Sequence, residues 1–433
     1  MVRIMDTTNG LALNQKAYNW TVRSVSVLTR SLSVNINLHQ DGDQVEQGQI
    51  FLFNHFARFE TFIPQYLMHQ KTGAYCRSIA SGEFFKANDT FANYLRSVGA
   101  VPHDHPGLLP FLAEEILRGR KVIIFPEGGM VKDRRVLDDK GKYSIFSRTA
   151  RERRKHHTGA AILALTLNAF KMGIRKLHAD GDTTGLAKWV DRLELESIEA
   201  LMTAVKKPTS IIPANITFYP IRVRDNILRQ GVALFSRGLS PRAAEELLIE
   251  GNILLRDTDM DVRLGKPVAP GSFWQLWESK LLAPMVRKIN SMEEMFDLNK
   301  RKGPWYERLA ARYIGRTSLM LRDAYMYEMY KGLTLNLSHL ASRLFLMHVD
   351  RNEMKVDRDL FHRTLYLAIK NAQAEISLHL HRSLLDLETY AGIIKGNCPP
   401  LNQLIESAVN AGLIEAKDDQ YLLLPKLKEE HGF

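Results

Sequence analysis

Two short segments of this 433-residue chain hold residue types that could do chemistry, Asn54-His55-Phe56-Ala57-Arg58-Phe59-Glu60 and Phe125-Pro126-Glu127-Gly128-Gly129. A histidine followed five residues on by a carboxylate is a general base with an orienting partner, provided His55 sits in a turn and Glu60 in the first turn of the helix behind it. There the Glu60 carboxylate would accept from one ring nitrogen, fix the tautomer and raise the basicity of the other. The second segment offers one acid and backbone N–H groups. Gly128 and Gly129 let the backbone approach an anion or an oxyanion, and Glu127 hydrogen-bonds an acceptor hydroxyl or locks the loop. Together they suggest activation of a hydroxyl. Each also has a plainer reading, a satisfied structural histidine and a simple glycine turn.

The elements that must position these residues are two apolar runs, Ile50-Phe51-Leu52-Phe53 and Val122-Ile123-Ile124-Phe125. Both read as buried strands, so both motifs leave a sheet at strand ends, where α/β folds place their chemistry. Around them strand and helix signals alternate: a helix over 59–68, a strand over 74–80, a helix over 82–98, a short strand at Ala100-Val101 and a helix over 108–117. This rhythm predicts an α/β sandwich with a mostly parallel central sheet flanked by helices. Residues 171–208 read as an insertion, 210–219 as a further strand, and 261–268 as a late edge strand because Pro267 cannot donate to a ladder. After about residue 273 only helical spacing remains, and 401–424 resembles a small winged-helix tail. The expected division is a covering segment at 1–45, an α/β domain at 46–275 and an all-α C-terminal domain at 276–433.

Composition narrows the partners. The net charge is +11, and between residues 118 and 155 there are 13 Lys/Arg against five Asp/Glu. A cationic surface of this kind suits anionic membrane or phosphate, or is merely a solvated helix face. Cys76 and Cys398 are the two cysteines, too few for a disulfide framework or a zinc set, and they fit a reducing compartment. No signal peptide and no transmembrane run is read, so a cytoplasmic protein, peripheral on a membrane, is expected. Residues 18–32 mix apolar and cationic side chains and suit either a membrane surface or a cover on the core. There is no nucleophile elbow, Walker loop or dinucleotide fingerprint. His103, His105, His156 and His157 lack partners for a metal site, and none is expected.

The motifs resemble, in order, the glycerolipid acyltransferase superfamily of glycerol-phosphate and lysophosphatidate acyltransferases. The resemblance rests on Asn-His-x4-acid, Phe-Pro-Glu-Gly, Gly-Ala-Ala-x-Leu-Ala at 159–164, Ile212-Pro213-Ala214-Asn215-Ile216 and Gly265-Lys266-Pro267, and covers roughly residues 46–270. It implies His55 as the catalytic base, Glu60 as its partner, Glu127 and Gly128 in acceptor binding, and Pro213 in the fourth block. The sequence departs from the family at Glu60, where Asp is usual, and at His105, which stands where an Arg normally holds phosphate. Met130-Val131-Lys132 follows the glycines in place of an Arg-containing set. Phosphate recognition would then pass to Lys132, Arg134 and Arg135, with Arg58 a further substrate-binding candidate, or the acceptor carries no phosphate.

The resemblance implies transfer of an acyl group from acyl-CoA or acyl carrier protein to a hydroxyl at an anionic membrane surface, with no other cofactor. Two readings from other classes remain open. One is an acyltransferase fold that binds lipid without turnover. The other is a nucleic-acid-binding regulator, disfavoured because the tail is close to charge-balanced.

Overall fold

Four consecutive apolar residues form a strand at Ile50–Phe53 because both faces of the sheet they enter are covered by helices. Ile50 and Leu52 belong to one core cluster, while Phe51 and Phe53 belong to the other on the opposite face. Val122 and Ile124 divide from Ile123 and Phe125 in the same way. The computed structural model describes residues 11–31, 33–55, 62–85, 90–127, 157–219, 258–273, 282–298, 304–386 and 388–429, with 136–137, 140, 143–147 and 152–155 between them.

The strands are β1 (Asn35–His39), β2 (Ile50–Phe53), β3 (Cys76–Ala80), β4 (Ala100–Pro102), β5 (Lys121–Ile124), β6 (Ser144–Ser147), β7 (Glu152–Lys155), β8 (Ile211–Tyr219) and β9 (Asp259–Leu264). Seven of them make one sheet in the order β1-β9-β8-β2-β5-β3-β4. Only the β8–β9 pairing is antiparallel, so β1 and β9 run against the other five. The mixed α/β architecture with a mostly parallel sheet is as the sequence implies. Helices Gln15–Ser31 and Phe62–Thr72 cover one face through Val25, Ile63, Leu67 and Met68. Leu108–Leu117, Gly159–Ala179 and Trp305–Lys331 share the core on the other. No described helix is long and apolar enough to cross a membrane.

Several expectations are corrected. The late strand is not an edge: β9 lies between β1 and β8, and Pro267 falls beyond its end, just before the isolated bridge from Ile211 to Val268. The edge is β1, inside the segment read as a cover. Residues 171–208 are no polar insertion. They continue the helix Gly159–Ala179 and add Thr183–Arg192 and Ile198–Lys206, whose Leu186, Trp189, Leu201 and Val205 are buried in the main core. The basic run at 152–155 is a strand, β7, paired antiparallel with β6, and not a helix face.

The C-terminal part is not all-α. It adds β10 (Thr334–Leu335), β11 (Lys355–Asp357), β12 (His379–Leu380), β13 (Ile414–Lys417) and β14 (Gln420–Leu423), strands too short to show a period of two. β11, β14 and β13 form an antiparallel sheet packed with Leu337–Asp350, Arg358–Ala374 and Pro399–Asn410 in a core of its own. Helix Trp305–Lys331, which the sequence assigned to that part, instead shares its core with the helices on the sheet. The change of core therefore falls near Gly332 and not near residue 275.

Two buried lysines hold the amino ends of the central strands. Lys121 Nζ donates to the carbonyls of Val45 and Gly48, each at 2.7 Å, and of Glu46 at 3.1 Å. Lys171 Nζ donates to Gln49 Oε1 at 2.7 Å and to the Lys207 carbonyl at 2.9 Å. Burial, with Arg175 and Lys207 nearby, lowers the Lys171 pKa to about 7. Burial, then Lys207, lowers that of Lys121 to about 8. Between these values and the ordinary lysine value the unfolded chain binds more protons, so stability rises with pH. Above about pH 9 Cys76, whose thiol burial pushes up to about 12, offsets part of that rise. Urea unfolding from pH 7 to 9 is expected to show that rise, with Lys171→Met removing up to about 1.4 kcal/mol per pH unit of slope. An unchanged slope in the variant would contradict the assignment.

Candidate active site

The parallel register of β2 and β5 brings the two motifs together. Leu52 lies opposite Ile124, so three residues further on His55 lies opposite Glu127. The strands have ended there, and a side chain replaces the ladder: the His55 backbone N–H donates to Glu127 Oε2 at 2.6 Å. On the other flank Asn54 does the same for β8. Its Nδ2 donates to the Ile216 carbonyl at 3.0 Å and its Oδ1 accepts from the Ile216 N–H at 2.6 Å. Asparagine carries the donor and acceptor this needs on a short side chain. The backbone at 54–55 is thereby tied to the strands on both sides. The half-buried His55 ring packs against Phe125, with centroids 4.9 Å apart.

Glu127 is 6% exposed, and its second oxygen accepts from the Tyr330 hydroxyl at 2.5 Å. Tyr330 sits in the last turn of the helix Trp305–Lys331 and stacks on Tyr143, centroids 5.8 Å apart. Burial, and then the Glu127 carboxylate, raise its pKa far above the ordinary phenol value, so it stays a neutral donor. Tyr325, on the same helix, donates to the His157 carbonyl at 3.1 Å, and the His157 N–H in turn donates to the Pro126 carbonyl at 3.3 Å. One helix therefore holds the Pro126-Glu127 turn at two points.

The Gly-Lys-Pro motif positions that helix. A Cβ at Gly265 would stand 3.0 Å from the Glu328 carbonyl, and the Lys266 N–H donates to Glu328 Oε2 at 3.2 Å. Close approach of strand exit to helix end is what the glycine permits.

The other sequence candidates fall differently. Glu60, Arg58, Gly128, Gly129, Lys132, Arg134 and Arg135 lie outside the described residues, so the pairing of Glu60 with His55 is not on view. Pro213 is buried inside β8, opposite Leu52, with its carbonyl accepting from the Gly265 N–H at 2.7 Å. It stands three residues short of the level at which Asn54 docks, within the sheet and not on a binding surface. His105 follows β4, three strands from β2 in the sheet order, or ~14 Å at the usual strand spacing. Burial lowers its pKa, against the opposing charge of Asp104, which favours the neutral imidazole. Its Nδ1 is buried without a hydrogen-bond partner, and its ring lies 5.9 Å from that of Phe111.

Two positioning residues escaped the sequence reading. Asn54 stood inside the quoted motif, and its place directly after a strand was the available signal. Tyr330 carries no such signal, being 203 residues from Glu127.

Residues 35–175 match the family described as Acyltransferase. No curated protein matches the chain. Among solved structures, the 1-acyl-sn-glycerophosphate (LPA) acyltransferase PlsC from Thermotoga maritima is similar at 14% identity over 67% of this chain and 84% of that one, with a TM-score of 0.29. That likeness is too slight to argue from. The family match runs from β1 through β7 into the helix Gly159–Ala179 and contains both His55 and Glu127. Over residues 35–175, then, the chain is similar to the Acyltransferase family.

Proposed function

We propose that the protein moves a fatty acyl group from an acyl thioester, acyl-CoA or acyl carrier protein, to a hydroxyl of a glycerol-phosphate-type or lysophospholipid acceptor. The observation that carries this reading is the half-buried His55, fixed through its backbone to Glu127 at the carboxyl edge of the sheet, inside the acyltransferase-family segment. Neutral His55 takes the acceptor proton as the oxygen attacks the thioester carbonyl. The new C–O bond forms, the oxyanion collapses, the C–S bond breaks, and the thiolate leaves and receives the proton. Glu60 steadies the imidazolium, and backbone donors of the Glu-Gly-Gly segment stabilise the oxyanion. The thioester supplies the driving force, so the reaction calls for no metal or nucleotide.

Glu127 acts here as a clamp on the catalytic backbone before it acts on substrate, since each of its oxygens already accepts a hydrogen bond. An acceptor drawn from phospholipid synthesis would put the protein at the cytoplasmic face of a membrane. Helices Leu337–Asp350, Arg358–Ala374 and Pro399–Asn410 packed with the antiparallel sheet β11-β14-β13 support a winged-helix-like module. Its helix Pro399–Asn410 carries one charged side chain, the acid Glu406, which disfavours a nucleic-acid reader.

The test is thiol release by the purified protein, with long-chain acyl-CoA and acyl carrier protein as donors. Acceptors would be glycerol 3-phosphate, lysophosphatidate and neutral alcohols, with the ester product identified. Release that depends on one class of acceptor is the expected result. Tight binding of acyl chains with no thioester consumed would support the non-catalytic reading instead.

A further inference from the structure

Helix Trp305–Lys331 has an outward face that the mechanism does not use. Trp305, Arg308, Arg312, Arg316, Leu319, Met320, Asp323 and Tyr327 are all exposed and recur at three- and four-residue steps, the spacing of a single helical stripe. The large side chains are bare: Trp305 is 63% exposed, Leu319 47%, Met320 59% and Tyr327 53%. Among the described residues no ion pair engages Arg308, Arg312 or Arg316. The one acid on the stripe, Asp323, is already paired with Arg322 at 2.7 Å. The buried side of the same helix, with Ala310, Ala311, Ile314, Leu321 and Tyr325, explains why it is a helix at all, but not why its outer side carries this mixture.

We infer that this face is a docking surface for an anionic lipid bilayer. The stripe from Trp305 to Tyr327 is ~33 Å long at the helical rise, straight enough to lie in a membrane plane. Aromatic side chains at its two ends and Leu319 and Met320 between them suit the boundary between headgroups and acyl chains. The three unpaired guanidinium groups match lipid phosphates, while their alkyl stems lie along apolar surface. A nucleic-acid backbone would match the arginines and leave the four apolar side chains in water. One turn beyond Tyr327 comes Tyr330, which holds Glu127. A bilayer against this face therefore borders the candidate active site, and a membrane-borne acceptor has a short path to His55. The inference rests on the reading that the acceptor is a lipid, and two separate readouts keep them apart.

The experiment is vesicle flotation of the full chain with phosphatidylcholine alone and with added phosphatidylglycerol, beside thiol release with a water-soluble short-chain acceptor. The wild type is expected to float only with anionic vesicles, and less as salt rises. Arg308→Gln/Arg312→Gln/Arg316→Gln is expected to lose affinity by on the order of a hundredfold, with activity on the soluble acceptor unchanged. Trp305→Ser/Met320→Ser is expected to weaken binding without altering its salt dependence. Should the triple variant melt early, Arg312→Gln alone carries the test with a smaller loss. Loss of flotation with the soluble reaction intact supports docking, and so does loss of flotation in a protein that turns over no acceptor, which would sink only the proposed function. A wild type that ignores anionic vesicles overturns the inference. So does a triple variant that floats like the wild type, or arginine-dependent capture by DNA or an acidic carrier protein in place of vesicles.

Discussion

His55→Ala is expected to lower kcat by about a hundred- to ten-thousandfold, the range a positioned general base supplies. The fold should survive. His55 is held through its backbone N–H, which alanine keeps, and its half-buried ring packs against Phe125. Losing that contact costs about 1 kcal/mol, or about 2–4 °C in Tm. Steady-state kinetics and a thermal melt on the same preparation check both halves. A variant with near-wild-type turnover would remove His55 from the chemistry. A variant that failed to fold would make it structural.

The second large effect belongs to Glu127, and the choice of substitution separates clamp from charge. Glu127→Ala leaves the His55 N–H and the Tyr330 hydroxyl without the acceptor they share, in a buried place. Each unsatisfied polar group costs about 1–3 kcal/mol. The displaced histidine is expected to lower kcat by about a hundredfold, since misplacement near 1 Å is worth that much. Glu127→Gln can keep both contacts: its oxygen accepts from the His55 N–H, and its amide donates to a turned Tyr330 hydroxyl. It is expected to retain most of kcat, with little change in acceptor KM. Tyr330→Phe should fall between the two, with kcat reduced and donor KM unchanged. Were Glu127→Gln as damaging as Glu127→Ala, with acceptor KM raised, the carboxylate would be contacting substrate and the clamp reading would fail.

The residues show why part of this was legible and part was not. The runs Ile50-Phe51-Leu52-Phe53 and Val122-Ile123-Ile124-Phe125 advertise buried strands by being apolar on both faces, and the motifs beyond them inherit a position at the sheet edge. That is local information. Which strands are neighbours is not local. The reading of β9 as an edge failed because Pro267 lies past the strand's end, and the β1 partner that covers β9 is over two hundred residues away in sequence, Asn35 lying opposite Asp259. The short C-terminal strands, of two to four residues, fall below the length at which alternation can be seen. Lys121 and Lys171 read as ordinary charges, since nothing beside them announces the carbonyls they meet. Tyr330 reaches Glu127 only because a helix distant in sequence folds back onto the sheet's own core.

The central claim is direct transfer, with His55 moving a proton and no acyl group held on the protein. Rapid mixing of stoichiometric enzyme with acyl thioester, followed optically for free thiol, tests it most directly. The account predicts no thiol until the hydroxyl acceptor is added, and then thiol and ester appearing together. A burst of thiol equal to the enzyme present, with no acceptor in the mixture, would mean a covalent acyl-enzyme and would contradict it.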